Sequence, residues 1–172
     1  MSYPTTDKQQ KLITWLQSIA PTVFWVISDQ PKEPPIPENA LQMGILRITE
    51  IERQGNDGYF STWNPNTELF DLQAYACRAM TFTIDIYSSD QSANYVLQDF
   101  LTWINFPASI EYFYSNQLGF IKHSTIRNLS LISSGRWRNR FQVDIKFNIV
   151  DNVFFTAPNI VTAPTSGTIN KQ

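Results

Sequence analysis

The stretch RNRFQVDIKFNIV, residues 138–150, alternates with a period of two: Phe141, Val143, Ile145, Phe147 and Ile149 fall on one side, Gln142, Asp144, Lys146 and Asn148 on the other. A strand with one apolar and one polar side belongs in a sheet that is covered on one face only, the usual condition of antiparallel sheets. Just upstream, residues 120–132 read as a second long strand, and Ser133-Ser134-Gly135 between the two makes an antiparallel hairpin the natural pairing. The same alternation marks residues 71–87, where Phe82, Ile84 and Ile86 interleave with Thr81, Thr83 and Asp85. Between these strands lie the elements that could cover the apolar face. Ala93, Val96, Leu97, Phe100, Leu101 and Ile104 recur at helical spacing behind Ser89 or Asp90 as a cap, giving a helix to about residue 105. Pro107 suits the first turn of a shorter helix through about residue 114, with Gly119 marking its exit.

Toward the N-terminus, Thr6 and Gln9 have the spacing of a capping box, and Leu12, Ile13, Trp15, Leu16 and Ile19 form a helical stripe that stops before Pro21. Residues 22–27 (TVFWVI) read as a strand, and PKEPPIP (31–37) as an extended loop. Residues 41–53 read as another strand, with Ile45, Arg47, Thr49 and Ile51 on one face and Leu46, Ile48 and Glu50 on the other. Gly55-Asn56-Asp57-Gly58 signals a turn, followed by a short aromatic strand and a second turn at Asn64-Pro65-Asn66. The sum is an α+β fold: a mostly antiparallel sheet with helices packed on one face, in a single domain over residues 1–150. Residues 151–172 lose the alternation, become rich in Asn, Thr, Pro and Ala, and read as an extended C-terminal arm.

Length and composition fit this reading. A chain of 172 residues accommodates one domain with a full-sized core. Charged residues are only 16% of the sequence against about 25% in ordinary soluble domains, and aromatics reach 14%. Such a neutral, aromatic surface is the kind that chains bury against partners. The formal charge of −2 sets up no field that would gather nucleic acid. One cysteine, Cys77, permits no internal disulfide and suits a reducing cytosol. The start, MSYPTTDKQQ, lacks a basic region followed by an apolar one, and no apolar run reaches the roughly 20 residues that span a bilayer. The expectation is a soluble chain made in the cytoplasm, with no membrane partner.

Catalytic chemistry finds little material. His123 is the single histidine, so multi-histidine metal sites and the common zinc sites cannot form within one chain. A Ser-His-Asp arrangement around His123 lacks a G-x-S-x-G turn, and no phosphate-binding glycine loop occurs. Asp85 and Asp144 could form a carboxylate pair if their strands were neighbours, although solvation is what polar strand positions usually receive. The expectation is no enzyme, no cofactor and no metal. The one local charge feature is Arg127 with Arg136, Arg138 and Arg140 around the final hairpin. The last three would project together opposite Trp137 and Phe141. As a strand edge, this stripe would discourage aggregation; in a ring it could line a channel or pair with a neighbour.

The order of features over residues 78–150 resembles the phage neck or tail terminator family of tailed bacteriophages. Arg78-Ala79 leads into an alternating strand ending at Tyr87. Two helices follow, then Leu118-Gly119-Phe120, His123-Ser124 and Ile126-Arg127-Asn128-Leu129. Trp137-Arg138-Asn139-Arg140 opens the last strand. The chain departs from the family at Arg138, where members often place an acid directly after the tryptophan. The resemblance implies a structural virion protein at the junction of tail and neck, synthesised in the host cytoplasm. It implies a homo-oligomeric, hexameric ring that caps the tail tube, with tube, sheath and neck connector proteins as partners and DNA passing nearby. Arg127, Arg136, Trp137, Arg138 and Arg140 are then the candidate ring-interface or lumen residues. Two other functions fit the sequence: a head-completion or stopper subunit one ring nearer the capsid, and a small cytoplasmic hydrolase using His123.

Overall fold

The computed structural model describes residues 4–27, 42–55, 58–67, 69–90, 92–133 and 136–157. Among these residues three helices and eight strands follow one another as α1 (Pro4–Ile19), β1 (Phe24–Ile27), β2 (Gln42–Arg53), β3 (Gly58–Asn64), β4 (Leu69–Ser88), α2 (Ser92–Trp103), α3 (Pro107–Ser115), β5 (Leu118–His123), β6 (Arg127–Asn128), β7 (Leu131–Ser133) and β8 (Arg136–Ala157). The architecture is α+β. The sheet runs β1-β2-β4-β8-β5, with β3 beside β4 and with β6 and β7 beside β8; only β1 and β2 pair in parallel.

Two long strands organise everything else. β4 and β8 pair antiparallel without a slip from Phe70↔Ala157 to Ser88↔Asn139. Uninterrupted register keeps each face constant, so Phe82, Ile84 and Ile86 of β4 lie on the same face as Phe147, Ile145, Val143 and Phe141 of β8. The three helices cover this face. Leu12 and Leu16 of α1, Leu97 and Phe100 of α2 and Phe113 of α3 are buried against it. Aromatic rings thread the layer: Phe113 lies 4.9 Å from Trp15 and 5.2 Å from Phe147, centroid to centroid. Trp25 reaches the same core because its parallel partner Gly44 has no side chain; a Cβ there would lie 2.5 Å from the indole ring.

Several boundaries differ from the sequence expectation for identifiable reasons. Helix α1 begins at Pro4, which places Thr6 inside the helix rather than at its cap. Asp90 performs the expected capping of α2, its Oδ1 accepting the Ser92 N–H at 3.0 Å. The exit from α3 is made by Gln117, which takes φ 58°, whereas Gly119 is an ordinary β5 residue opposite Asn148. Gln117 is held there by the buried Lys8, whose Nζ donates to Asn116 O and Gln117 Oε1. Residues 120–132 fall in three short strands instead of one; the break between β6 and β7 comes where Asn128 Oδ1 accepts the Ser130 N–H and turns the chain locally. The proline-rich segment 31–37, the Ser134-Gly135 turn and residues 158–172 lie outside the described residues.

The largest difference concerns Gly55–Gly58. The chain does not reverse there. β2 and β3 lie end to end along the same edge of β4, from Gln42↔Ser88 to Arg53↔Arg78 and then from Gly58↔Tyr75 to Asn64↔Leu69. Gly55 at φ 73° marks an irregularity in one long edge, and the reversal comes at residues 65–68. β8 likewise continues past Val150 to Ala157, so residues 151–157 are strand, paired with β4. No helix among the described residues is long and apolar enough to cross a membrane.

Candidate functional site

The face opposite the helices carries a lattice of ions. Asp85 sits at its centre with no exposed side-chain surface, although its strand position had suggested solvation. Its Oδ2 accepts from Arg47 Nη2, and its Oδ1 accepts from Arg140 Nε at 3.1 Å and Gln142 Nε2 at 2.9 Å. One carboxylate thereby ties β2, β4 and β8 together. Arg140 also lies over the Tyr87 ring, 5.3 Å from its centroid. Asp144 forms a second node: Oδ2 accepts from Arg127 Nη2 at 2.5 Å, and Oδ1 from the Thr83 hydroxyl at 2.6 Å. β4 and β8 are neighbours, as a carboxylate pair would need, yet each aspartate is engaged by an arginine instead.

A third node depends on a bulge. Between Ile48 and Glu50 the β2 register slips by one residue, so Thr49 is extra and Glu50 and Glu52 move onto the face that Arg47 occupies. Lys146 of β8 then meets Glu52 at 2.7 Å, and Glu50 accepts from the Thr81 hydroxyl at 3.1 Å. The Lys146 ammonium holds the Glu52 carboxyl below its ordinary value.

Of the five residues singled out from sequence, Arg127 and Arg140 share this face but belong to different nodes, each with its own aspartate. Arg136, Trp137 and Arg138 sit on the β7–β8 hairpin, where backbone register pairs them with Ser133, Ile132 and Leu131. Within the stripe Arg140 is thus ion-paired, and the side chains of Arg136, Trp137 and Arg138 lie outside the described residues.

Two apolar features went unnoticed in the sequence. Past Ala79 and Ile149, the last residues of the long strands described as buried, β3, β4 and β8 continue as a three-stranded ribbon. At its tip Trp63 packs edge-on against Phe70, 5.2 Å between centroids, with 43% and 37% of their surfaces exposed. On the helical layer, the Trp103 and Phe106 rings pack tilted at 36°, 4.5 Å between centroids, and remain about half exposed beside a groove lined by Trp15, Ile19 and Tyr112. Aromatic richness was the available signal, but it gave no positions.

A family model described as "Phage neck terminator protein" matches residues 10–172, from within α1 to the end of the chain. The chain belongs to the phage neck terminator family. No curated protein matches it. The match takes in the N-terminal helix, the ribbon and the C-terminal segment as well as the 78–150 stretch that carried the resemblance. Membership makes the chain a structural protein of the phage neck, located in the virion and associated with other tail and neck proteins.

In a neck terminator the ion lattice fixes how strands sit against one another. Arginines already bonded to aspartates are poor ligands for phosphate, because a new contact must first break an ion pair. His123 is exposed, its Nδ1–H donating to the Ser124 carbonyl at 2.8 Å while its ring stacks on Phe120. No carboxylate hydrogen-bonds that ring among the described residues, and none of their His, Cys, Asp and Glu groups is arranged to hold a metal ion.

Proposed function

We propose that the chain is a tail terminator subunit whose copies close head to tail into a ring, hexameric as the family resemblance implies, that caps the tail tube. The ring joins the tube to the connector proteins of the neck and meets the sheath where the tail has one. The observation that carries this reading is the family match over residues 10–172. Two features support it. Arg127 and Arg140 are already bonded to Asp144 and Asp85 within the chain, so a neighbouring copy can cover this surface without burying an uncompensated charge. Exposed aromatics are concentrated on the ribbon and helical layer, where a partner would bury them.

In this reading Arg136, Trp137 and Arg138 at the β7–β8 hairpin, with the flanking Arg127 and Arg140, form part of the interface between copies rather than the lumen. Residues 151–157, as the end of β8, and the segment 158–172 that follows them reach the neighbour, the role expected of the C-terminal arm. The subunit is made in the host cytoplasm and catalyses nothing, with His123 an ordinary surface histidine. Native mass spectrometry of the purified chain, together with electron microscopy of disassembled virions, tests the ring; a closed oligomer is expected, and monomer in both preparations overturns it. Binding to isolated tail tubes rather than to DNA-filled heads separates a terminator from a head-completion subunit.

A further inference from the structure

Among the described residues the ribbon has two open edges. Its central strand is β4, with β3 along one side and the end of β8 along the other; among the described residues no further strand pairs with β3 or with residues 151–157. Unpaired strand edges present rows of N–H and C=O groups that template pairing with another chain, and proteins blunt them with charge or proline. β3, GYFSTWN, contains neither. The ribbon also lies beyond the helical layer. Its residues extend up to eight positions past Ile149, about 25 Å at strand rise.

We infer that the ribbons of adjacent copies join edge to edge, the outer edge of β3 in one copy pairing with residues 151–157 of β8 in the next, so that the sheet runs on from subunit to subunit. The inference rests on the ring reading above and names its contact. A second copy is the occupant the edges fit, for three reasons. Both edges are seven residues long and lie at the same level, β3 on residues 69–75 of β4 and the β8 end on residues 70–76. They are different edges on opposite sides, so joining them is a heterologous contact, the kind that closes rings. Finally, β3 and β8 run in the same direction, both antiparallel to β4, so copies related by rotation about an axis along the ribbon meet as a regular parallel pair. Such pairing also places the exposed Trp63–Phe70 corner of each copy beside the next ribbon, where it loses contact with water.

Engineered cysteines test this directly. Thr62 and Thr156 are both register partners of Asp71, one on each side of β4. Within one chain they stand two strand spacings apart, roughly 9.6 Å, beyond the roughly 7 Å that a disulfide spans. A Thr62→Cys/Thr156→Cys variant in a Cys77→Ser background can therefore cross-link only between copies. Mild oxidation is expected to give a ladder on a non-reducing gel that ends at the size of the closed ring, with neither single variant giving more than a trace of dimer. Ser61→Cys/Phe155→Cys, across Leu72 on the other face, repeats the measurement at the next level. A closed ring by native mass spectrometry with no ladder from either pair overturns the edge contact and leaves the ring reading standing; such an outcome would hand the edges to residues 158–172 or to a tube protein. Monomer by both methods removes the ring reading and this contact with it.

Discussion

Asp85 has no exposed surface, yet among the described residues it lies on the face opposite the helices, beside the buried Met43, Ile45 and Tyr87 and bonded to Arg47, Arg140 and Gln142. Removing one partner from a buried ion cluster is costly because the remaining charges stay desolvated without compensation. Asp85→Ala should therefore lower unfolding free energy by about 3–5 kcal/mol, a large share of the roughly 5–15 kcal/mol of a typical domain. Asp85→Asn should cost less, since the amide oxygen still accepts one of the three bonds. Urea unfolding of both variants measures the difference, and a loss below about 1 kcal/mol for Asp85→Ala would show that the node contributes little. None of this was legible around residue 85 itself. The alternation assigned Asp85 to the polar face correctly, but its partners stand 38 and 55 residues away, and only the pairing of β2, β4 and β8 brings them together.

At the scale of elements, strand positions read well wherever one face is core and less well where both are polar or a bulge intervenes. β4, α2 and the 138–150 part of β8 follow their periodicities because burial selects every second or every third-and-fourth residue. The β2–β3 edge does not. Glycine and asparagine at 55–58 carry a turn signal, but the same freedom at φ 73° also permits a bulge-like break in a continuing edge, and local sequence does not distinguish the two. The Thr49 bulge is equally silent in sequence, and its consequence is the Glu52–Lys146 pair. That pair makes a prediction about acid. Glu52 titrates below its ordinary value of 4.5 in the folded chain, mainly through its hydrogen bond to Lys146, and Asp90 is lowered by the Ser92 hydroxyl. Carboxyls with lowered folded values stabilise fully above the unfolded value and lose that contribution as pH falls through the folded one. The Tm should thus decline below pH 4.5, and in Lys146→Met the decline should be shallower because Glu52 returns toward its ordinary value. Thermal melts across that range decide it, parallel curves for the two proteins counting against a role for the pair.

For the whole molecule, the division between a covered domain and an uncovered ribbon determines what each part contributes. Among the described side chains the core extends along the long strands to Ala79 and Ile149, where the helices, the sheet beneath them and the ion lattice form one body, and β3 pairs with residues 69–75 of β4 while residues 151–157 of β8 pair with residues 70–76. The sequence placed the end of regular structure at Val150 because apolar alternation weakens there; what continues is backbone pairing, which needs no particular side chains and leaves no periodic trace. Truncation after Asn152 removes the last five β8 positions of the ribbon and everything beyond, while keeping every residue described as part of the buried core. Its Tm should stay within a few degrees of the full chain, as expected for a change of about 1 kcal/mol or less. Oligomer formation should fall at least tenfold, the equivalent of about 1.4 kcal/mol per contact. Truncation after Ala157 keeps every described residue of the edge and separates the strand from the segment that follows it. If assembly survives the shorter deletion and fails with the longer, the β8 edge is the contact; failure with both assigns the contact to residues 158–172, and a falling Tm with intact assembly would show that the ribbon belongs to the folding unit rather than to the interface.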